Sequence, residues 1–118
     1  MANEITASLQ LSCINSNFNP GQINVTKQID QAAAGANAGV QICSTSIETV
    51  PVGDLSTYGL LYMRNLDSTN FITYGSTLLL EFKLKPGEFC LMRVTPAATI
   101  GIKANAASCK VQQLWLED

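Results

Sequence analysis

An all-β fold is predicted, a two-sheet sandwich with jelly-roll or Greek-key connections and seven to nine short antiparallel strands. Three observations predict it. The apolar runs are short and separated by turn-forming residues, which is the pattern of consecutive strands and not of helices. Several runs alternate apolar and polar residues with period two, as strands do when one face meets a core and the other meets water. No stretch shows a sustained helical period, and many short strands without helices close into sandwiches or barrels. The 118 residues suit a single β-sandwich domain over 1–118.

The elements follow in order. Over residues 3–14, Ile5, Ala7, Leu9, Leu11 and Cys13 alternate with Glu4, Thr6, Ser8, Gln10 and Ser12, which predicts a half-buried strand. Asn15 to Gly21 is dense in turn formers and reads as a loop. Ile23, Val25 and Ile29 alternate with Asn24, Thr26, Gln28 and Asp30, a second strand with Lys27 as the exception on its apolar face. Gln31 to Gly39 is rich in Ala with two Gly; it predicts a small-residue loop, with a single helical turn as the alternative. Residues 40–50 read as a strand on their β-branched content, and Pro51 to Thr57 as a connection.

Four apolar runs follow: Tyr58–Met63, Phe71–Tyr74, Leu78–Leu84 and Phe89–Val94. The turns between them are Asn65 to Asn70, Gly75 to Thr77 and Lys85 to Glu88. Pro86 presets φ for a β-turn and Gly87 supplies the positive φ of a type II turn. Asp67 and Asn70 are side chains that hold loops by bonding nearby backbone. In the third run Leu78, Leu80, Phe82 and Leu84 share one face. In the fourth, Phe89 and Leu91 oppose Cys90, Met92 and Val94, so both faces are apolar; such a strand is central or is covered by another chain. Ile100 to Lys103 and Ser108 to Leu116 are the last strands.

Composition narrows the function classes. The net charge is -2, against the basic footprint of a nucleic-acid binder. Charged residues make up 14%, and a polar surface with few charges is one that proteins cover without large desolvation costs. No apolar run approaches a membrane span, and the opening residues lack a signal peptide's basic and apolar regions, so the chain is expected to be made and kept in a cytosol, at least at first. With no histidine, imidazole-based catalysis and metal ligation are excluded. The acids sit in turns or on polar faces, without the facing pair of a glycosidase. Asp67 to Asn70 offers too few oxygens for a calcium loop. No phosphate-cradling Gly motif is present, and Asn24-Val25-Thr26 is a lone glycosylation sequon. Cys13, Cys43, Cys90 and Cys109 are too widely spaced for a zinc or redox motif and read as buried reduced thiols. No catalytic residue, cofactor or metal site is therefore predicted. Tyr58, Tyr62, Phe71 and Tyr74 are core packers by default and a sugar-binding face in the alternative.

One stretch carries a resemblance. Arg64-Asn65-Leu66-Asp67-Ser68-Thr69-Asn70-Phe71, then Phe82-Lys83-Leu84-Lys85-Pro86-Gly87-Glu88 and Arg93, is similar to a pattern in small structural proteins of tailed bacteriophages. The opening Met1-Ala2-Asn3-Glu4-Ile5 and the closing Leu116-Glu117-Asp118 look similar too. The resemblance covers about a third of the chain strongly. It implies a non-enzymatic building block of a virion, synthesised in the bacterial host cytoplasm. Within that class a decoration or cement protein on the head is expected, bound to the major capsid protein and self-associated as a trimer or dimer, with no nucleic-acid or membrane partner. A tail, baseplate or head–tail connector component is the alternative, and a carbohydrate-binding host-attachment module the alternative of another class. The two-sided run and the final strand supply the expected interface: Phe89, Leu91, Met92, Arg93, Leu114, Trp115 and Leu116.

Overall fold

The computed structural model describes residues 4–14 and 22–117. The loop expected at Asn15 to Gly21, the Met1-Ala2-Asn3 opening and Asp118 lie outside the described residues. Those residues form ten strands and no helix, one strand more than the expected range. The chain divides into two compact units, Met1–Ala32 and Ala33–Asp118.

The first unit is a hairpin of β1 (Ile5–Ser12) and β2 (Gln22–Ile29), paired antiparallel. Its register sets Ile5 opposite Ile29, Leu9 opposite Val25 and Leu11 opposite Ile23. Because side chains alternate across a strand, these six and the Ala7–Lys27 pair share one face. The other face carries Thr6, Ser8, Gln10, Ser12, Gln22, Asn24, Thr26 and Gln28, and Ser8 and Thr26 bond across it through their hydroxyls at 3.2 Å. The Gln31 N–H donates to the Glu4 carboxylate at 3.0 Å, closing the root. The alternation is as expected, but the burial is not. Leu9 is 54% and Val25 52% exposed, and Cys13 is also exposed. Periodicity reports which residues share a face and not whether anything covers it.

The second unit is a sandwich of two four-stranded antiparallel sheets. Its strands are β3 (Ala36–Cys43), β4 (Glu48–Thr49), β5 (Tyr58–Asn65), β6 (Ile72–Ser76), β7 (Leu79–Leu84), β8 (Phe89–Arg93), β9 (Ile100–Ala104) and β10 (Cys109–Glu117). One sheet runs β3-β10-β5-β8 and the other β4-β9-β6-β7. The chain changes sheet at every connection except the β6–β7 hairpin, which makes this the double Greek key of an eight-stranded jelly roll. The inner faces supply the core: Leu61, Met63, Val111, Trp115, Cys43 and Cys109 from one sheet, Ile72, Tyr74, Leu84, Ile102 and Ala104 from the other. Trp115, 1% exposed, meets the Tyr58 ring edge-on at 4.8 Å between centroids.

Three expectations are corrected. Ala36 to Gly39, read as loop, belongs to β3, because β10 offers Leu116 to Gln113 as pairing partners and pairing overrides the weak β-propensity of Ala and Gly. Residues 40–50 are not one strand. The chain leaves β3 at Cys43, turns where the Glu48 carboxylate accepts the Ser44 N–H at 2.6 Å, and enters β4 in the other sheet. Of the two readings of the fourth run, the central one is overturned, since among the described residues β8 pairs only with β5 and forms a sheet edge.

The stretch that carries the resemblance is a corner of this fold. The Asn65 side chain, fully buried, donates to the carbonyls of Asn70 (2.9 Å) and Leu84 (3.1 Å) and accepts the Asp67 N–H (2.9 Å). The Asp67 carboxylate accepts the N–H groups of Thr69 and Asn70. At Lys85 to Glu88, the Glu88 N–H bonds the Lys85 carbonyl at 3.0 Å and Gly87 has φ 79°, the expected type II geometry. The Gly87 N–H donates to the Asn65 carbonyl, and Arg64 Nε donates to the Gly87 carbonyl at 3.2 Å. The two halves of the pattern are thus bonded to each other, across the gap between the sheets.

Candidate interaction surface

The two sheets present different outer faces. On the β4-β9-β6-β7 sheet, Lys103, Thr73 and Lys83 sit side by side on neighbouring strands, and the Lys83 ammonium lies 4.1 Å from the centre of the Phe71 ring. That face is polar. On the β3-β10-β5-β8 sheet the register aligns Ala38, Leu114, Tyr62 and Leu91 in one row across all four strands. The next row is Val40, Gln112, Arg64 and Phe89. Phe89 is 65% and Leu91 53% exposed, and Val40 and Ile42 are exposed as well. Ala38 and Gly39 lack bulk, and an open groove of about 330 Å³ runs between Val40, Tyr62 and Leu114. The Tyr62 hydroxyl donates to the Gln112 side chain at 3.1 Å, which fixes the ring beside it. The charged residues on this face, Arg64, Arg93 and Lys110, are all basic.

The expected interface residues divide by strand parity. Phe89, Leu91, Arg93, Leu114 and Leu116 point to this outer face. Met92 and Trp115 point inward: Trp115 is core, and Met92 packs against it. They are corrected as surface candidates. A second apolar patch escaped sequence reasoning as a patch. Leu78 in the turn before β7, and Leu79 and Phe82 in β7, the edge of the other sheet, are exposed. Phe82 leans on Tyr74 at 5.4 Å between ring centroids, and among the described residues no strand pairs with the far side of β7. An unpaired strand edge flanked by apolar side chains is a template for pairing with another chain.

The four aromatic residues considered for a sugar face are otherwise engaged. Tyr58 packs on Trp115 and donates to the Ala98 carbonyl at 2.8 Å, Tyr62 is tied to Gln112, Phe71 lies under Lys83, and Tyr74 is buried. Two further clefts, about 200 Å³ at Asn37, Gln41, Pro51 and Gln113 and about 330 Å³ at Tyr58, Arg93 and Pro96, are open to solvent.

Titratable groups follow burial. Cys43 and Cys109 face each other across β3 and β10, both fully buried. Burial, with Glu48 and Cys109 nearby, pushes the Cys43 thiol up to about 11. Burial also raises Cys109 and Cys90, and it raises Tyr74, whose hydroxyl bonds Cys90. Thiols shifted upward are protonated at neutral pH and are poor nucleophiles. Asp67 is shifted the other way by the N–H groups of Asn70 and Thr69. Among the described residues, no three Cys, Asp or Glu side chains are placed to hold a metal ion.

Comparison with known proteins finds no matching family model, no similar curated protein and no similar solved structure.

Proposed function

We propose that the protein is a non-enzymatic structural component of a tailed-phage virion, a decoration or cement protein that strengthens the head shell through protein–protein contacts. The observation that carries this reading is the outer face of the β3-β10-β5-β8 sheet, where Val40 and Ile42 on one edge strand and Phe89 and Leu91 on the other are exposed, half-buried Tyr62 and Leu114 lie between them, and the charged side chains on the strands are all basic. Monomeric soluble proteins rarely leave such a face open, and its partner is a surface with an apolar strip flanked by carboxylates. The resemblance of the Arg64–Phe71 and Phe82–Glu88 segments to phage structural proteins supports the class.

The mechanism is mass action. A protein that binds the assembled shell and not the loose subunit shifts the equilibrium toward assembly, and the β7 edge with Leu78, Leu79 and Phe82 suits strand addition to a shell protein. Quantitative gel densities from purified virions test the reading. A cement protein is present in hundreds of copies per particle, a connector in about a dozen, as its ring symmetry requires. Purified protein should also co-sediment with empty capsids. Absence from the particle, or a dozen copies with no capsid binding, overturns it.

A further inference from the structure

We infer that Cys43 and Cys109 join as a disulfide wherever a low-molecular-weight disulfide is present to oxidise them, and that this bond staples the edge strand β3 to its neighbour β10. Both cysteines belong to the sandwich unit and to paired strands of one sheet, so their placement is fixed within that unit.

The register sets the two residues directly opposite each other, and both side chains are fully buried on the inner face. Lys110 gives its carbonyl to the Leu66 N–H on the β5 side, so Cys109 turns its own peptide groups toward β3. Opposed residues that exchange peptide hydrogen bonds have Cα atoms about 5.5 Å apart, within the ~4.4–6.8 Å that a cystine spans. Their Cβ atoms, about 5.5 Å apart, close by roughly 1 Å when the sulfurs join. β3 can give that much at this point. Among the described residues β10 is its only strand partner, and Cys43 is its last residue. The change strands no buried group. The thiols of Cys43 and Cys109 donate to the carbonyls of Ser44 (3.5 Å) and Asn70 (3.9 Å). Those carbonyls keep other donors, the Ala104 N–H and the Asn65 side chain. The third acceptor, the Ala107 carbonyl, belongs to an exposed residue. The remaining cysteines are placed elsewhere. Cys13 is in the hairpin unit, and Cys90 stands opposite Met63 with its sulfur bonded to the Tyr74 hydroxyl.

The chemistry is thiol–disulfide exchange. One cysteine thiolate attacks a sulfur of the small disulfide, which releases one small thiolate and leaves a mixed disulfide. The second cysteine thiolate attacks the protein sulfur of that mixed bond, forming the Cys43–Cys109 bond and releasing the other small thiolate. The protein gives up two electrons and two protons, and the small disulfide becomes two small thiols. In the closed sandwich burial keeps both sulfurs protonated and out of reach, so exchange runs before β3 and β10 close or when they part. A reducing compartment leaves the pair as thiols and an oxidising one joins them. The bond closes a loop over more than half of the chain, and a cross-link restricts the unfolded chain most when its loop is long.

The test refolds the reduced full chain in a mixture of oxidised and reduced glutathione, beside a sample kept in a thiol reductant. Trypsin separates all four cysteines, leaving Cys43 in residues 28–64 and Cys109 in residues 104–110. Mass spectrometry of the unreduced digest should find these two peptides joined and two hydrogens lighter than the separate pair. The thermal midpoint of the oxidised protein should exceed that of the reduced sample by about 10 °C or more. A double variant, Cys13→Ala with Cys90→Ala, should show the same link and the same rise, and Cys43→Ala should lose both. Peptides that stay separate in the wild type or the double variant overturn the inference. So does a wild-type link that runs to Cys13 or Cys90 instead, or joined peptides with no rise in midpoint. If Cys43→Ala does not fold, the digests and melts of the wild type and the double variant decide.

Discussion

Replacing Asn65 with Leu should remove a large part of the sandwich's stability while leaving the surface untouched. The side chain is fully buried, donates to the Asn70 and Leu84 carbonyls, and accepts the Asp67 N–H. Leucine fills a similar volume and satisfies none of them. The Asp67 N–H lies in an exposed loop and can turn to water, but the two carbonyls lose a donor they cannot readily replace. At about 1–3 kcal/mol for each stranded buried group, the loss is about 3–4 kcal/mol. For a domain of this size, 1 kcal/mol moves the midpoint by about 4–8 °C, so Tm should fall by about 15–25 °C in a thermal melt followed by circular dichroism or Trp115 fluorescence. Asn65→Asp gives a sharper test. It keeps the acceptor for Asp67, but its ionised carboxylate faces two carbonyl oxygens, so its folded pKa must lie above the unfolded one. Stability from a raised acid is present below the unfolded pKa and is lost as pH rises through the folded one. The Asp variant should therefore be much weaker than wild type at pH 7 and recover part of the difference near pH 4, where a protonated carboxyl can donate. A Leu variant within 1 kcal/mol of wild type, or an Asp variant with no acid recovery, refutes the role given to this amide.

Three further outcomes are expected. Ala97 sits at φ 67° in the Thr95–Ala98 turn, after Pro96 and in the position type II turns give to Gly; Ala97→Gly relieves about 1–2 kcal/mol of left-handed strain against about 0.4–1 kcal/mol of added unfolded-chain entropy, so denaturant melts should show a net gain of about 0.5–1 kcal/mol. In thiol labelling at pH 8, exposed Cys13 should react first, half-buried Cys90 more slowly, and buried Cys43 and Cys109 only after unfolding; early reaction at Cys43 or Cys109 would show that the β3–β10 pair opens. The Asp67 carboxyl, held below its ordinary range by the Asn70 and Thr69 N–H groups, contributes order that is present above its unfolded pKa and is lost as pH falls through the depressed folded one; the amide resonances of residues 69 and 70 should shift together, and only in that acid range.

What was legible in the sequence was what depends on near neighbours. The alternation of β1 and β2, the Pro86-Gly87 turn and the Asp67 loop are local, and each stands in the structure where the residues put it. Partnership across the chain was not legible. Ala36 to Gly39 carries no strand signal of its own and becomes strand because β10 lies beside it. The two apolar faces of the Phe89–Val94 run pointed to a central strand or to one covered by another chain; it is an edge, and its outward residues Phe89 and Leu91 are exposed. Trp115 and Met92 were placed with Leu114 and Arg93 as surface on adjacency, although neighbours in a strand point to opposite faces. Asn65 could be seen as part of a pattern, but its partner Leu84 is nineteen residues away, and no local rule links the two.

The strand order has one more consequence, for how the protein is made. β10 is the last of the sandwich strands along the chain, and it lies between β3 and β5 in the middle of its sheet. Until β10 has been made, those two strands have no common neighbour and β3 has no partner in its sheet. Only the β6–β7 hairpin can close early, because every other pairing in the sandwich joins segments far apart in the chain. Such a polypeptide folds slowly and holds its apolar strands open meanwhile, which makes the yield of folded protein sensitive to chaperone supply and growth temperature.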